Sequence, residues 1–192
     1  MEIKLLTSNK GNIFNNIFVI KPMVFEDNRG FFYESWNQSS FNKIIGEEIM
    51  FLQDNHSSSS KGVLRGLHYQ IKNNPQGKLV RCISGEIFDV AVDIRKNSPT
   101  FGEWTSIVLN SVNRLMIWIP IGFAHGFLSL KDKSEIIYKA TMNYSKKDER
   151  SIRWNDNCIN IKWPLNKISP LQPLLSEKDS RAPYLKNADI FD

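Results

Sequence analysis

The pattern that most limits what this chain can fold into is a series of short apolar runs separated by turn residues. In residues 86 to 94, Phe88, Val90, Val92 and Ile94 share one parity and Asp89 and Asp93 the other, as in a strand with one buried face. Lys78 to Ile83 precedes it and ends in Ser84-Gly85; Trp104 to Leu109, Leu115 to Ile119, Phe123 to Leu130 and Glu135 to Met142 follow. Strands this short, recurring roughly every 8 to 12 residues between turn residues, predict a sandwich or barrel.

The first third of the chain is less regular. Ile13 to Ile20 is rich in β-branched and aromatic types and is closed by Pro22, which predicts a strand near an edge. Asp27-Asn28-Arg29-Gly30 reads as a turn and Phe31 to Trp36 as a further strand. Residues 38 to 46 carry a helical spacing, with Phe41, Ile44 and Ile45 on one face and Gly46 as the stop. Phe51 to His56 predicts a strand and Ser57 to Lys61 a polar loop. Beyond Trp163 the tail is rich in proline and holds a short helix near Ser176 to Asp179. With no internal repeat and no linker, residues 1–192 are expected to form one domain.

Composition narrows the class of partner. Of 192 residues, 41% are hydrophobic and 23% charged, values of a globular chain long enough to bury a core. The net charge of +5 is dispersed, with no basic and aromatic repeat, so an anionic small ligand fits better than nucleic acid. Cys82 and Cys158 cannot build a disulfide framework. No leader-like segment and no run of apolar residues long enough to span a bilayer is present, so a cytoplasmic protein away from membranes is expected.

Two stretches hold titratable groups where apolar ones would serve packing better. Gly62 to Gln70 sets Arg65 and His68 among Leu64, Leu67 and Tyr69, where each polar group needs a partner. Alone, it reads first as a core histidine bonded to a carbonyl and an arginine in a structural ion pair. Pro120-Ile121-Gly122-Phe123-Ala124-His125-Gly126 is a turn leading into a strand, similar to the second motif of cupin barrels. The matching first motif has His68-Tyr69-Gln70 with no second histidine. His68 and His125 fall short of a metal ligand set, so no metal is expected.

Longer motifs carry a more specific resemblance. Arg65 to Gln70, Gln76 to Arg81, Gly85 to Arg95 and Trp118 to Phe127 are similar, in collinear order, to the dTDP-4-dehydrorhamnose 3,5-epimerase family. Phe25 to Glu34, Gln53 to His56, Trp154 to Asp156 and Leu175 to Asp179 match as well, so the likeness runs over about residues 13 to 185. It implies an all-β, cupin-like double-stranded β-helix (jelly roll) with a few short peripheral helices. It also implies a cofactor-independent isomerase working through an enolate on a dTDP-4-keto-6-deoxy sugar.

Carried over residue by residue, the resemblance implies His68 as base, Asp179 as the carboxylate orienting it, Tyr138 as acid, and Lys78 beside the C4 oxygen. Substrate-binding roles are implied for Arg29, Glu34, Gln53, Asp54, Asn55, Arg65, Lys78, His125, Tyr144, Glu149 and Lys178, with Tyr144 stacking on the thymine. The N-terminal region, about residues 1–36, is implied to contribute to a homodimer. The chain departs from the family in Asn143-Tyr144, where two tyrosines are common, in the missing proline after Asp156, and in a longer 164–175 segment. Three other readings share these residues. They are a C3-only epimerase on a related sugar, a non-catalytic sugar-nucleotide-binding barrel, and a metal-dependent cupin. The set of base, carboxylate and tyrosine favours catalysis over binding, and the ligand count disfavours the metal enzyme.

Overall fold

The computed structural model describes residues 2–71 and 73–192. Its strands are β1 (Glu2–Thr7), β2 (Ile13–Lys21), β3 (Phe25–Asp27), β4 (Gly30–Phe32), β5 (Gln53–Ser59), β6 (Leu64–Gln70) and β7 (Lys78–Ser84). They continue as β8 (Glu86–Asp93), β9 (Trp104–Asn110), β10 (Met116–Ile119), β11 (Phe123–Ser129), β12 (Ser134–Ala140) and β13 (Glu149–Ser151). Two short helices, α1 (Gln38–Ile45) and α2 (Glu177–Ser180), lie outside the sheets.

Pairing assembles one sheet of order β1-β2-β10-β7-β12-β5 and a second of order β13-β6-β11-β8-β9, with β3-β4 a separate hairpin. This is the antiparallel jelly roll that the family resemblance implies, one of the sandwich or barrel forms expected from the strand spacing. Between the sheets, Phe14, Ile17, Val80, Cys82, Ile87, Ala91, Ile117, Phe127 and Ile136 form an apolar core that closes part of the interior.

Each sheet is also covered on its outer face. On the six-stranded sheet, α1 buries Phe41 among Trp36, Phe51 and Trp118, with ring centroids 5.2, 5.3 and 5.4 Å away. A helix of eight residues is marginal alone. Asn37 caps it, accepting from Ser40 N at 2.9 Å, and burial of Phe41 contributes roughly 2–3 kcal/mol. On the five-stranded sheet, the C-terminal segment lays Ile152, Ile159, Trp163, Ile168 and Leu185 against Leu67, Tyr69, Val90 and Val92.

That second cover corrects the reading of β8. Its apolar parity packs under the C-terminal segment, and its acidic parity turns into the barrel, with Asp89 and Asp93 fully buried. Both faces are buried because β8 is flanked by β11 and β9 and roofed on its outer side. β2 lies second from the edge of its sheet, near an edge as expected, with β1 paired outside it. Other readings change. Residues 31 to 36 make only the short strand β4, which pairs with β3 alone. β13 was not expected at all.

One close approach sets which side chains face inward. A Cβ on Gly66 would lie 2.6 Å from Gly126 Cα, and one on Gly126 would lie 2.7 Å from Arg65 O. Two glycines therefore let β6 and β11 cross at contact distance, where the pairing register shifts between His125 and Phe127. Beyond that irregularity Leu67, Tyr69 and Ile71 pack outward, and His68 faces the interior opposite His125.

Candidate active site

The two sheets leave a cavity of about 230 Å³ lined by Asn55, Arg65, His68, Lys78, His125, Tyr138 and their neighbours. It is smaller than the ~300–1,000 Å³ of pockets that enclose a whole small molecule, so it suits one ring of a longer ligand. His68 and His125 come from β6 and β11 of one sheet; Asn55, Lys78 and Tyr138 come from β5, β7 and β12 of the other. Any ring held between them meets a different set of groups on each side.

His68 is backed by a carboxylate. Its Nε2 lies 2.5 Å from Asp179 Oδ1, and Asp179 is buried at the start of α2, where its amide bonds Ser176 Oγ at 3.1 Å. Burial by itself would raise the Asp179 carboxyl, but hydrogen bonds from His68, Ser176 and the Gly66 backbone overturn that and lower it. Burial also lowers the imidazole, against the pull of Asp179, with Lys78 and Lys178 adding to the fall. The ring is therefore neutral at neutral pH, Nε2–H donates to Asp179, and the other nitrogen keeps its lone pair for an incoming proton.

Lys78 is the buried cation of the cavity. Its Nζ is 3.4 Å from His68 O, to which it donates, and 6.0 Å from the centroid of the Tyr138 ring. Burial pushes its ammonium down to about 8, with Asp89 and Glu149 opposing. Tyr138 is raised by burial, with Arg65 opposing and Glu149 adding, so its phenol stays protonated and can donate.

Asp89 is the residue that sequence reasoning passed over. It is fully buried; Oδ2 lies 2.8 Å from His125 Nε2, and Oδ1 has no hydrogen-bond partner among the described residues. The only signal was an acid on a strand alternating with valines, which reads equally well as a solvated face.

Toward the rim, a chain of polar contacts collects four of the residues named from the sequence. Gln53 Oε1 accepts from Tyr144 N at 2.7 Å, Tyr144 Oη donates to Glu149 Oε2 at 3.0 Å, and Lys178 Nζ reaches Glu149 Oε1 at 2.5 Å. Gln53 also donates to Asn55 Oδ1 at 2.8 Å, tying the rim to the cavity. Arg65 is braced by Ser59 Oγ and Ser58 O, both at 3.2 Å.

Three expected residues are not gathered here. Asp54 points to the opposite face of β5 from Gln53 and Asn55 and pairs with Lys139 at 2.9 Å, because successive strand residues alternate sides. Arg29 sits in the β3–β4 turn, paired with Asp27 at 2.6 Å, and Glu34 accepts from Asn37 Nδ2 at 3.0 Å; neither lines the cavity. Among the described residues no three His, Cys, Asp or Glu side chains converge as a metal ion would need.

Comparison with known proteins bears on what this cavity does. A family model described as dTDP-4-dehydrorhamnose 3,5-epimerase matches residues 12–187. A Salmonella typhimurium protein of that name is 54% identical over 173 residues, covering 90% of this chain and 92% of the relative. A Legionella pneumophila epimerase solved in complex with dTDP-4-keto-L-rhamnose has a TM-score of 0.89 and 42% identity, covering 98% of this chain and 95% of that one. A 3'-monoepimerase from Streptomyces bikiniensis, solved with dTDP-quinovose, is further away, with a TM-score of 0.82 and 32% identity over 89% of this chain and 84% of that one.

Proposed function

The chain belongs to the dTDP-4-dehydrorhamnose 3,5-epimerase family, and from that premise we propose how its cavity carries the reaction. The enzyme is an isomerase that inverts C3 and C5 of dTDP-4-dehydro-6-deoxy-D-glucose to give dTDP-4-dehydro-L-rhamnose, in rhamnose biosynthesis. The C4 ketone acidifies the hydrogens on both neighbouring carbons. Each inversion takes one proton from one face and returns one to the other through an enolate. The substrate brings its own carbonyl, so the residues need supply only a base, an acid on the far side and a positive charge at the oxygen.

His68 is the base, held in its working tautomer by Asp179. Tyr138, on the opposing sheet, returns a proton at C5. Lys78 faces the C4 oxygen and favours the enolate. The observation that carries this reading is the placement of a carboxylate-backed imidazole and a phenol on facing sheets with a buried ammonium between them. Arg65 and the chain Gln53, Tyr144, Glu149 and Lys178 take the nucleotide, and Asn55 with His125 completes the wall. The diphosphate suits paired guanidinium donors.

The chain works as one domain in a homodimer. Met23, Phe25, Phe31 and Phe32 are 63%, 60%, 58% and 73% exposed, an apolar surface on the segment that carries Arg29. In the dimer this hairpin brings Arg29, and the following loop Glu34, to the neighbouring subunit's nucleotide. The two free thiols, Cys82 and Cys158, accord with work in the cytoplasm.

Two measurements test this directly. In heavy water, Tyr138→Phe should still incorporate deuterium at C3, at C5 or at both, because His68 can form the enolate, while net inversion at C5 drops. Equal loss of exchange and inversion, or full inversion at C5, removes tyrosine as the separate acid. The same experiment on the unaltered enzyme, read for configuration as well as deuterium, separates double from C3-only epimerisation, since the latter leaves C5 uninverted.

The second measurement is the pH profile of kcat/KM. Neutral His68 is lost as pH falls, and its lowered value puts that limb below the usual imidazole value of about 6.5. The Lys78 ammonium is lost as pH rises through about 8, which sets the falling limb. A profile flat from pH 7 to beyond about 10, the ordinary lysine range, contradicts the role of Lys78.

A further inference from the structure

The β3–β4 hairpin is tied to the barrel by the side chain of Arg114. Arg114, in the loop between β9 and β10, places Nη1 3.1 Å from Glu26 Oε1 and its guanidinium carbon 4.1 Å from the centroid of the Phe31 ring. Glu26 and Phe31 are register partners across the hairpin, so a single guanidinium holds both strands at the same rung. Asp27 and Gly30 form the next rung, and Arg29 lies in the turn they close. Among the described residues, the side-chain hydrogen bond and ring contact joining Phe25–Phe32 to the barrel both run through Arg114.

The grip itself is rigid. Asn110 Oδ1 accepts from Val112 N and Asn113 N, and Asn113 Oδ1 accepts from Asn110 N and Leu115 N, which braces the loop on both sides of Arg114. Arg114 adopts φ 52, a left-handed backbone that a residue with a side chain rarely takes without a constraint. Its side chain is 19% exposed, and Nε is buried without a hydrogen-bond partner among the described residues. A flat cation can stack on a ring and bond a carboxylate edge-on at once; an ammonium cannot do both in this geometry.

We propose that Arg114 is a positioning residue for substrate binding: it sets the angle of the hairpin so that Arg29 meets the diphosphate. Arg29 is already turned by Asp27, which accepts from its backbone N at 2.8 Å and from Nη2 at 2.6 Å. Asp27 thus fixes the guanidinium within the turn, and Arg114 fixes the turn against the barrel. The inference rests on the reading of Arg29 as a diphosphate ligand.

The test is a mutant cycle on the full-length enzyme, reading dTDP affinity by calorimetry and steady-state kinetics with the sugar nucleotide. Arg114→Gln should raise KM and weaken dTDP by about tenfold while kcat stays within about twofold, the signature of lost ground-state binding. Glu26→Ala, at a side chain 66% exposed, should move both in the same direction by less. In an Arg29→Ala background, Arg114→Gln should add nothing, because there is no guanidinium left to position. If Arg29→Ala weakens dTDP but Arg114→Gln does not, or if the two losses multiply independently, the positioning role is wrong and the Arg29 reading stands. If Arg29→Ala leaves dTDP affinity unchanged, the Arg29 reading fails and takes the inference with it. Weaker binding accompanied by dissociation to monomers, seen by light scattering, would make Arg114 an interface residue instead.

Discussion

His68→Asn abolishes solvent exchange at both C3 and C5, a loss of roughly 10²–10⁴ in rate. Asparagine keeps a polar group within reach of Asp179 but has no lone pair that titrates near neutrality, so the cavity retains its shape and loses its base. Both carbons should fall together, because His68 faces the interior on β6 and Asp179 holds its Nε2 at 2.5 Å. Affinity for dTDP should hold, since Gln53, Tyr144, Glu149 and Lys178 are joined in a separate chain at the rim. Deuterium read by NMR at the two carbons decides it. Continued exchange at one of them would mean that a second group serves as base there, with Tyr138 the first to suspect.

Lys78→Met lowers kcat by roughly 10²–10³, the usual consequence of removing one donor from a developing oxyanion. Methionine matches the length of the lysine stem and takes away only the charge. The fall should be the same for C3 and C5 inversion, because both enolates place their negative charge on the C4 oxygen. Lys78 is only 9% exposed and its ammonium is held down to about 8 by burial, so the variant should melt no lower than the parent. Stability supports the same sign. Between about 8 and the usual lysine value the folded protein binds fewer protons than the unfolded chain, so stability rises with pH there, and Lys78→Met should remove that slope. A variant that keeps its rate while losing the basic limb would assign Lys78 to binding rather than to the enolate.

Much of the architecture is legible from local pattern. The strand runs from residue 78 onward stand where the alternation and the turn residues put them, and α1 begins and ends at Asn37 and Gly46, as its capping residues require. These features depend on neighbours a few positions apart. Their signals survive in the sequence because the physics that produces them is equally local.

The site is legible only in part. His68 and His125 mark themselves as polar groups in apolar runs, and long collinear motifs name the family. Yet Gln53, Asp54 and Asn55 form one continuous motif, and the pleat sends Asp54 to Lys139 on the outside while Asn55 enters the cavity. Arg29 is part of a motif and still lies outside the cavity. A motif in sequence is not a cluster in space.

What the sequence determined by itself is therefore a sandwich or barrel of short strands, the stop of α1 at Gly46 and a family. What only the tertiary structure decided is which face of each strand is the interior. Asp89 looked like the wet side of β8 and is fully buried against His125, because the C-terminal segment roofs the apolar side and leaves the acidic side to line the barrel. Asp179 stands 111 positions from the histidine it orients. A strand's alternation states that its two faces differ, but the sign of that difference depends on what the rest of the chain brings to each face, and that is a long-range packing outcome with no local signature.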